Sequence, residues 1–399
     1  MKEIKCKSTD LKVDKPKISV IIPCLNEEET IGEVVRKAFY GIQKSKMIGE
    51  VIVADNGSTD RSKTIAASLG ARVISIKNKG YGSAIRGGIK SSKGEFIVMG
   101  DADDSYDFRQ IPHFTAKIKE GYELVMGCRL PSGGGKIMPR AMPWKNRWIG
   151  NPALSFLGRM FFKSNVKDFH CGLRAFTRKA FDKLKTQTTG MEFASEIVIK
   201  ATLKNLKISQ VPITYKKDGR SRPPHLRPWR DGWRHLRFML LYSPRWLFLI
   251  PGIFFGALGS FASIILYVNM NKIGNPQFSA GTLVATCMFT LVGFQLVSFA
   301  FYSKIYAMKR GLLPWDKKIE AFFKIATLER GITLSGIICL LGGTLLALAF
   351  LNWMQSKFGP IPWQENLRQV IPACTLILLG VQAFFSCFFL SMLGIQNEK

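Results

Sequence analysis

The hydrophobic and polar positions divide the chain into two parts with different patterns. Up to about Tyr242, short apolar runs alternate with polar segments, as in an α/β protein. After Trp246, four apolar stretches follow, each near or above the length of roughly 20 residues that spans a bilayer. We therefore predict transmembrane helices at residues 246–268, 282–302, 332–353 and 370–393.

The first part predicts a mainly parallel sheet. Candidate strands alternate with amphipathic helices, an order typical of a Rossmann-like α/β sheet with helices on both faces. Pro23 is expected to end the first strand, because proline has no N–H to donate to a sheet. Strands are predicted at residues 18–22, 50–54, 72–76, 95–99 and 123–127, and helices at 27–45 and 61–69 and after the glycine-rich 79–83.

The charge of the chain indicates what it binds. A formal net charge of +29 suits nucleic acid or anionic lipid, and the predicted spans favour lipid over nucleic acid. Residues 216–245 hold nine Lys or Arg residues against two acids, interleaved with Trp229 and Trp233, which predicts an interfacial helix. The predicted parts are an N-terminal tail (1–17), a sheet domain (18–215), a basic juxtamembrane segment (216–245) and a four-helix membrane domain (246–399).

The loops between the predicted spans differ in charge. The loop between the second and third spans carries seven Lys or Arg residues, whereas the loops on the other side carry only Lys272, Lys357 and Arg368. The positive-inside rule therefore places the basic loop, the sheet domain and both termini in the cytoplasm. Because the start of the chain is polar, no cleavable signal peptide is expected.

The most informative polar feature is Asp101-Ala-Asp103-Asp104, which follows the predicted strand at 95–99. Asp101 and Asp103 are two residues apart, so their side chains can converge just past the strand end. Two close carboxylates repel each other unless a cation lies between them, and Mg²⁺ takes such ligands together with substrate phosphates. One interpretation is a metal and nucleotide-diphosphate site, and the other is a solvated acidic turn.

Other candidate residues follow the ends of neighbouring predicted strands. Residues 23–27, Asp55 and Arg129 come after the first, second and fifth strands. Parallel strands bring such residues to one edge, where ligands of open α/β sheets bind, and this favours the metal site. No G-x-G-x-x-G follows the first strand and no Walker A sequence occurs. Eight cysteines without a C-x-x-C pair predict neither a zinc site nor a disulfide framework.

The ordered motifs of the sheet domain resemble those of GT-A glycosyltransferases of family 2. Asp168-Phe-His-Cys-Gly-Leu-Arg174 is similar to the polyprenyl-phosphate branch, which includes dolichol-phosphate mannose synthases and bacterial glucosyl relatives. The four-span tail resembles the membrane extension of some members. The other motifs are Ile21-Ile-Pro-Cys-Leu-Asn-Glu27, Asp55-Asn-Gly-Ser-Thr-Asp60, Asp101-Ala-Asp103 and Gly127-Cys-Arg129.

The resemblance implies roles for the matching residues. A nucleotide sugar would be held by four parts of the chain: the loop after the first strand, which would contact the base, the end of the second strand, the D-x-D element and the arginine after the fifth strand. Mg²⁺ or Mn²⁺ would bind Asp101 and Asp103, and Asp103 and Arg129 would be catalytic. Ala54 and Ser105 stand where many relatives have a second acid and a glutamine metal ligand. The implied donor-site residues are Pro23, Leu25, Glu27, Val53, Asp55, Asp101, Ala102, Asp103 and Arg129.

The resemblance also implies an acceptor. An inverting transfer would move a hexose from a GDP-mannose or UDP-glucose type of donor to a polyprenyl phosphate, such as dolichyl or undecaprenyl phosphate. Arg174, Arg220 and Arg222 are the candidates that would bind phosphate. The alternative for Arg174 is an ion pair with Asp168, and for Arg220 and Arg222 it is attraction to lipid.

Two other functions fit parts of the pattern. A processive polysaccharide synthase also joins a GT-A domain to spans, but Tyr242 stands where its Gln-x-x-Arg-Trp element needs glutamine. A non-catalytic scaffold or lipid transporter is the third, and the near absence of ionisable residues from the spans argues against transport of charged substrates. Glu192 and Glu196, one helical turn apart, either face the sugar or pair structurally. A homo-oligomer is left open.

Overall fold

A computed structural model describes residues 16–222, 228–269, 280–325, 327–359 and 363–394. The chain forms two compact units, Met1–Met239 and Leu240–Lys399. Most of the predicted N-terminal tail, Lys272 and the C-terminal Asn397-Glu-Lys399 lie outside the described residues.

Unit 1 is built on a seven-stranded sheet. Its strands, with those of a small second sheet, are β1 Ile18–Cys24, β2 Gly49–Asp55, β3 Arg72–Ser75, β4 Phe96–Met99, β5 Leu124–Cys128, β6 Lys136–Ile137, β7 Arg174–Thr177, β8 Ile208–Pro212 and β9 Thr214–Tyr215. The large sheet has the order β3-β2-β1-β4-β7-β5-β8, and β6 pairs with β9. Only β7 runs antiparallel to its neighbours, so the predicted mainly parallel sheet is confirmed.

The helices of unit 1 connect and cover the strands. A short 3₁₀ turn, Phe108–Gln110, leads into α4, and a π-helical turn, Asn146–Gly150, leads into α5. The helices are α1 Ile31–Lys44, α2 Ser62–Ser68, α3 Tyr81–Ser91, α4 Ile111–Lys119, α5 Asn151–Phe162, α6 Arg178–Leu184, α7 Phe193–Leu203 and α8 Pro228–Leu241.

The prediction that Pro23 ends the first strand is wrong, because β1 continues through Pro23 to Cys24. On one side β1 pairs with β4 only as far as Ile21, whereas on the other it pairs with β2 as far as Cys24. The last residues of β1 therefore lie at a local edge, where a missing N–H is tolerated.

Helix α1 begins at Ile31, four residues later than predicted. The residues before it form a turn in which Asn26 takes a positive φ of 56°. The N–H groups of Asn26 and Glu27 donate to the hydroxyls of Ser58 and Ser62 at 2.9 and 2.7 Å. The loop after β1 is thereby fixed to the loop after β2, and both lie at the carboxyl edge of the sheet.

Strand β7 was not predicted. It is only four residues long and helix α6 follows it directly. Such a short run gives too few positions for the alternating pattern of a strand to be detected. It inserts between β4 and β5, and its fully buried residues Arg174, Ala175 and Phe176 complete the sheet core.

The described residues of unit 2 include four helices that are long and apolar enough to cross a membrane, as predicted. Small residues bring them together: a Cβ on Gly293 would lie 2.2 Å from the backbone nitrogen of Gly256, and one on Gly342 would lie 2.8 Å from the carbonyl of Ala373. The helices are α9 Ile250–Asn269, α10 Ala280–Lys309, α11 Lys317–Ile325, α12 Leu328–Gln355 and α13 Trp363–Gly394, and the candidate spans are Arg245–Val268, Ala280–Lys309, Leu328–Gln355 and Asn366–Gly394.

Candidate active site

The acidic loop after β4 lies at the carboxyl edge of the sheet. Tyr81, at the start of α3, donates its hydroxyl hydrogen to Asp101 at 2.8 Å. Ser105 donates its backbone N–H to Asp103 at 3.0 Å, and its hydroxyl also bonds that carboxylate. Burial, and then repulsion from Asp103, raise the pKa of Asp101 from 3.8 to about 6. The loop therefore concentrates negative charge where solvent does little to stabilise it.

A cation from the chain itself compensates this charge. The guanidinium of Arg220 ion-pairs with Asp103, with Glu27 at 3.2 Å and with Asp218 at 3.3 Å. The backbone N–H groups of Lys216 and Gly219 donate to the carbonyls of Ser105 and Asp103 at 2.9 and 3.0 Å. The 216–222 segment thus lies across the acidic loop and closes one side of it.

Arg222, in the same segment, reaches the loop after β1. It lies 3.0 Å from the Glu27 carboxylate and donates to the carbonyls of Leu25 and Asn26. Burial raises the pKa of Glu27, and the two arginines oppose this shift. The structure brings together Glu27, Asp103, Arg220 and Arg222, and their nucleotide and phosphate roles stay a prediction.

The residues predicted at the end of β2 are less accessible. Val53 is completely buried in the hydrophobic core, which leaves its side chain no surface for a nucleotide in this structure. Asp55 is also buried, and its two carboxylate oxygens accept the N–H groups of Gly57 and Ser58 at 3.1 and 3.0 Å. Asp55 therefore shapes its own loop. Pro23 lies within β1, and Ala102 lies in the loop after β4.

Arg129 follows β5 and forms a two-pronged ion pair with Asp168, at 2.8 and 2.9 Å. It also donates to the Tyr106 hydroxyl at 3.4 Å, and its guanidinium lies over the Tyr215 ring, 5.4 Å from its centre. Burial alone would raise the pKa of Asp168, but Arg129 holds it below its ordinary value. The guanidinium is thus fixed before any ligand binds.

Arg174 differs from its predicted role. It is fully buried, and its guanidinium donates to the carbonyls of Cys171, Ala194 and Phe169 at 2.7, 2.7 and 3.0 Å. Its three nitrogens are all engaged with backbone, which favours a structural role over phosphate binding. The alternative ion pair of Arg174 with Asp168 is also corrected, because Arg129 takes that carboxylate.

Of the two roles predicted for Glu196, facing the sugar or pairing structurally, the contacts favour structural pairing. It pairs with Lys200 at 2.6 Å and accepts the N–H groups of Gln187 and Thr188, both at 2.9 Å. Glu192, at the cap of α7, has one buried carboxylate oxygen for which the described residues supply no hydrogen-bond donor.

Sequence reasoning missed three tyrosines that surround the charged groups. Tyr81 bonds Asp101, Tyr106 accepts the N–H of Gly172 at 2.8 Å, and Tyr215 lies against Arg129. The available signal for Tyr81 was the Lys79-Gly-Tyr-Gly loop, which lacks dinucleotide spacing.

Two carboxylates fit a divalent cation that takes its other ligands from a diphosphate and water. No group of three or more His, Cys, Asp or Glu side chains able to hold a metal occurs within the described ranges. Burial and Asp103 raise the pKa of Asp101 although Arg129 and Arg220 act in the opposite direction, so the carboxylate pair still favours a further cation. The donor set therefore suits a metal that arrives with a nucleotide diphosphate.

Helix α8 connects to the same loops through a buried polar cluster. The Ser195 hydroxyl lies 2.9 Å from Nδ1 of His235 on α8 and 3.2 Å from Nε2 of His170. The His170 backbone N–H donates to Asp168 at 3.3 Å. The exposed face of α8 carries Trp229, Trp233, Arg237 and Leu241, whereas Asp231, His235 and Met239 are buried.

Comparisons with known proteins agree with this fold. A model described as glycosyl transferase family 2 matches residues 19–185, and one for the glycosyltransferase family 2 C-terminal transmembrane region matches residues 301–394. A low-salt glycan biosynthesis hexosyltransferase, Agl6 of Haloferax volcanii, is 36% identical over 381 residues, 95% of this chain and 89% of the relative. A dolichyl-phosphate hexose transferase of that organism is 31% identical over 201 residues, which cover 50% of this chain and 83% of the relative.

A solved glucosyl-3-phosphoglycerate synthase from Mycobacterium tuberculosis, in complex with Mn²⁺, UDP and glucosyl-3-phosphoglycerate, is 22% identical. The match covers 56% of this chain and 79% of that one, with a TM-score of 0.44. The sheet, its family match and the relatives along the whole chain define the protein as a glycosyltransferase. The chain belongs to glycosyltransferase family 2 and, with its four apolar helices and matching transmembrane region, is a membrane protein.

Proposed function

We propose that this protein transfers a hexose from a nucleotide-diphosphate sugar to a membrane polyprenyl phosphate, with inversion at the anomeric carbon. The observation that carries the proposal is the meeting of Arg220 and Arg222 with Asp103 and Glu27 at the carboxyl edge of the sheet. The dolichyl-phosphate hexose transferase relative supports the acceptor class. Relatives leave the sugar and the base open.

The donor would lie along the loops after β1, β2 and β4. Pro23, Leu25, Glu27 and Asp55 would shape the nucleotide site, and Asp101 and Asp103 would hold Mg²⁺ or Mn²⁺. When bound, the metal would neutralise charge on the leaving nucleotide diphosphate. Arg220 and Arg222 would then change partners, from carboxylates to phosphate oxygens, because guanidinium binds both in the same forked geometry.

The acceptor phosphate needs no strong base. A phosphate monoester has its second pKa near 6 and is largely dianionic at pH 7, so it is already a nucleophile. The task left for the protein is to position it and to reduce its repulsion from the diphosphate. Arg129 would contribute to this task through its positive charge, since Asp168 and Tyr106 already accept hydrogen bonds from all three of its nitrogens.

The membrane arrangement follows from the charges. We place unit 1 and the basic loop between α10 and α12 in the cytoplasm, by the positive-inside rule. Helix α8 would lie at the membrane surface, with its exposed tryptophans and Arg237 toward anionic headgroups. Nucleotide sugar would then arrive from solvent and the polyprenyl phosphate from the bilayer.

The test uses the full chain in lipid nanodiscs with undecaprenyl or dolichyl phosphate, Mg²⁺ or Mn²⁺, and a panel of labelled nucleotide sugars. One donor should yield a labelled single-sugar lipid, and EDTA should abolish it. A long polymer would favour the processive synthase. If no donor yields labelled product from folded protein, the proposal fails.

Two variants are matched in this assay. Asp103→Asn should lower turnover at least about a hundredfold, since a metal ligand and an Arg220 partner are lost together. Arg109→Gln removes a guanidinium that pairs with Asp107 on the exposed surface, and it should leave turnover unchanged. Near-normal activity of Asp103→Asn would contradict the metal role.

A further inference from the structure

A second apolar surface on unit 1 lies outside the site and outside α8. Four large side chains around the start of α5 are more than half exposed: Trp144 (63%), Trp148 (65%), Ile149 (57%) and Phe156 (55%). Soluble surfaces rarely gather so many large apolar groups, and contiguous ones mark interaction sites. We call these four residues the α5 surface.

The α5 surface is one side of a continuous helical stretch. Ile149, Ala153 and Phe156 are exposed at helical spacing, whereas Ser155, Gly158 and Phe162 are buried on the opposite side. Ser155 accepts the N–H of Phe169 at 3.2 Å, and a Cβ on Gly158 would lie 2.6 Å from the Phe169 ring. Ser155 and Gly158 therefore pack the helix closely against Phe169, and the four residues of the α5 surface point away.

The surrounding charge is of one sign. Between Glu123 and Asp168 the chain has eight Lys or Arg residues and no acid. Lys145 lies over the Trp144 ring at 5.8 Å and Arg147 over the Trp148 ring at 5.2 Å. Tryptophan interleaved with cations is typical of side chains at the boundary between headgroups and acyl chains.

We infer that the α5 surface inserts into the headgroup layer of an anionic bilayer, so that the catalytic unit contacts lipid at a place separate from α8 and from the spans. Charge complementarity selects this occupant, because an acid-free cationic segment around exposed indoles suits anionic lipid. Helix α8 also ends at Leu241, four residues before the first candidate span begins at Arg245. The inference goes beyond the proposed transfer and does not depend on the donor or the acceptor.

The experiment uses the full chain in nanodiscs and places a photocrosslinker by the substitution Phe156→p-benzoylphenylalanine. The matched control is the same substitution at Ile48, which is 54% exposed and lies at the opposite, amino edge of the sheet next to β2. After illumination, lipid adducts are counted by mass spectrometry in phosphatidylglycerol and in phosphatidylcholine discs. Arg159→Glu is added to the Phe156 variant as a charge test.

We expect at least about fivefold more lipid adduct at position 156 than at 48 in phosphatidylglycerol, the factor that about 1 kcal/mol of surface attraction gives. The excess should fall in phosphatidylcholine and with Arg159→Glu. Equal adducts at both positions would overturn the inference, and so would crosslinks to a second copy of the chain in place of lipid. A failed donor screen with this adduct pattern would reject the proposed transfer alone.

Discussion

Arg220 forms an ion pair with Asp103, so a residue 117 positions away in the sequence supplies the cation that the acidic loop requires. The pair is largely buried, and Glu27 completes it on the other side. A divalent metal that bound Asp103 would therefore compete with a guanidinium that is already in place.

Arg220→Gln should separate metal binding from donor binding. Without the competing cation, Mn²⁺ alone should bind about tenfold more tightly, whereas the KM for the nucleotide sugar should rise because a phosphate ligand is lost. Mn²⁺ titration followed by electron paramagnetic resonance gives the first value, and initial rates give the second. Arg109→Gln is the control. If both affinities fall together, Arg220 does not compete with the metal.

Asp101→Asn should stabilise the metal-free protein at pH 7. In the folded wild-type protein the pKa of the Asp101 carboxyl is about 6, above its ordinary 3.8, because burial and Asp103 disfavour the charged form. The folded state therefore binds this proton more readily than the unfolded state does. The charged carboxylate lowers the free energy of unfolding by on the order of 1–3 kcal/mol at pH 7, and this loss disappears as pH falls from about 6 to below 4.

Thermal unfolding in EDTA at pH 7 and pH 4.5 tests this expectation. The variant should melt higher at pH 7, and its advantage should shrink at pH 4.5. With metal and donor present, the variant should be inactive. A variant that melts lower than wild type at pH 7 would show that the carboxylate is not under strain.

Removing one partner of the Arg129–Asp168 pair should cost more than removing both. Asp168→Asn leaves Arg129 buried and charged without its partner, which costs about 3–5 kcal/mol. The double variant Arg129→Met/Asp168→Asn removes the unpaired charge, so part of the stability should return. Unfolding in denaturant of wild type, the single variants Asp168→Asn and Arg129→Met, and the double variant gives the coupling free energy. Additive losses would mean that the two residues do not form a pair in solution.

His235→Gln should reduce the acid sensitivity of unit 1. Burial, opposed by Asp231 and assisted by Arg174, lowers the pKa of His235 from 6.5 to about 4. Between these values the unfolded state binds more protons than the folded state, so stability falls as pH decreases from about 6.5 to 4. The His170 ring packs against the His235 ring, and burial lowers the pKa of His170 as well. Part of the acid sensitivity of unit 1 should therefore remain in the variant.

Unfolding of the His235→Gln variant at pH 7 and pH 5 provides the measurement. Glutamine keeps a side chain that can bond Ser195, so the two proteins should differ little at pH 7. The variant should lose less stability at pH 5. Equal losses would place the acid-sensitive group elsewhere.

The sequence alone predicted the sheet and the four spans because both depend on the periodicity of apolar positions. It also predicted that residues 23–27, Asp103 and Arg129 lie at one edge of the sheet, because the carboxyl ends of parallel strands meet there. It could not assign partners among buried charges: the alternative to phosphate binding for Arg174 was an ion pair with Asp168, but the fold gives that carboxylate to Arg129. Such pairings depend on long-range placement, as does the burial of Val53, and neither leaves a local pattern.

Tyr215 ends β9, and the 216–222 segment begins at the next residue. The same ring supports Arg129 and contacts Tyr106 at 5.1 Å between ring centres. We expect a donor that displaces Arg220 to shift this segment beside Arg129, the arginine proposed for the acceptor phosphate. We expect this to impose an order of substrate addition, in which the nucleotide sugar binds first and the lipid phosphate second, as initial-rate patterns with a dead-end nucleotide inhibitor would reveal.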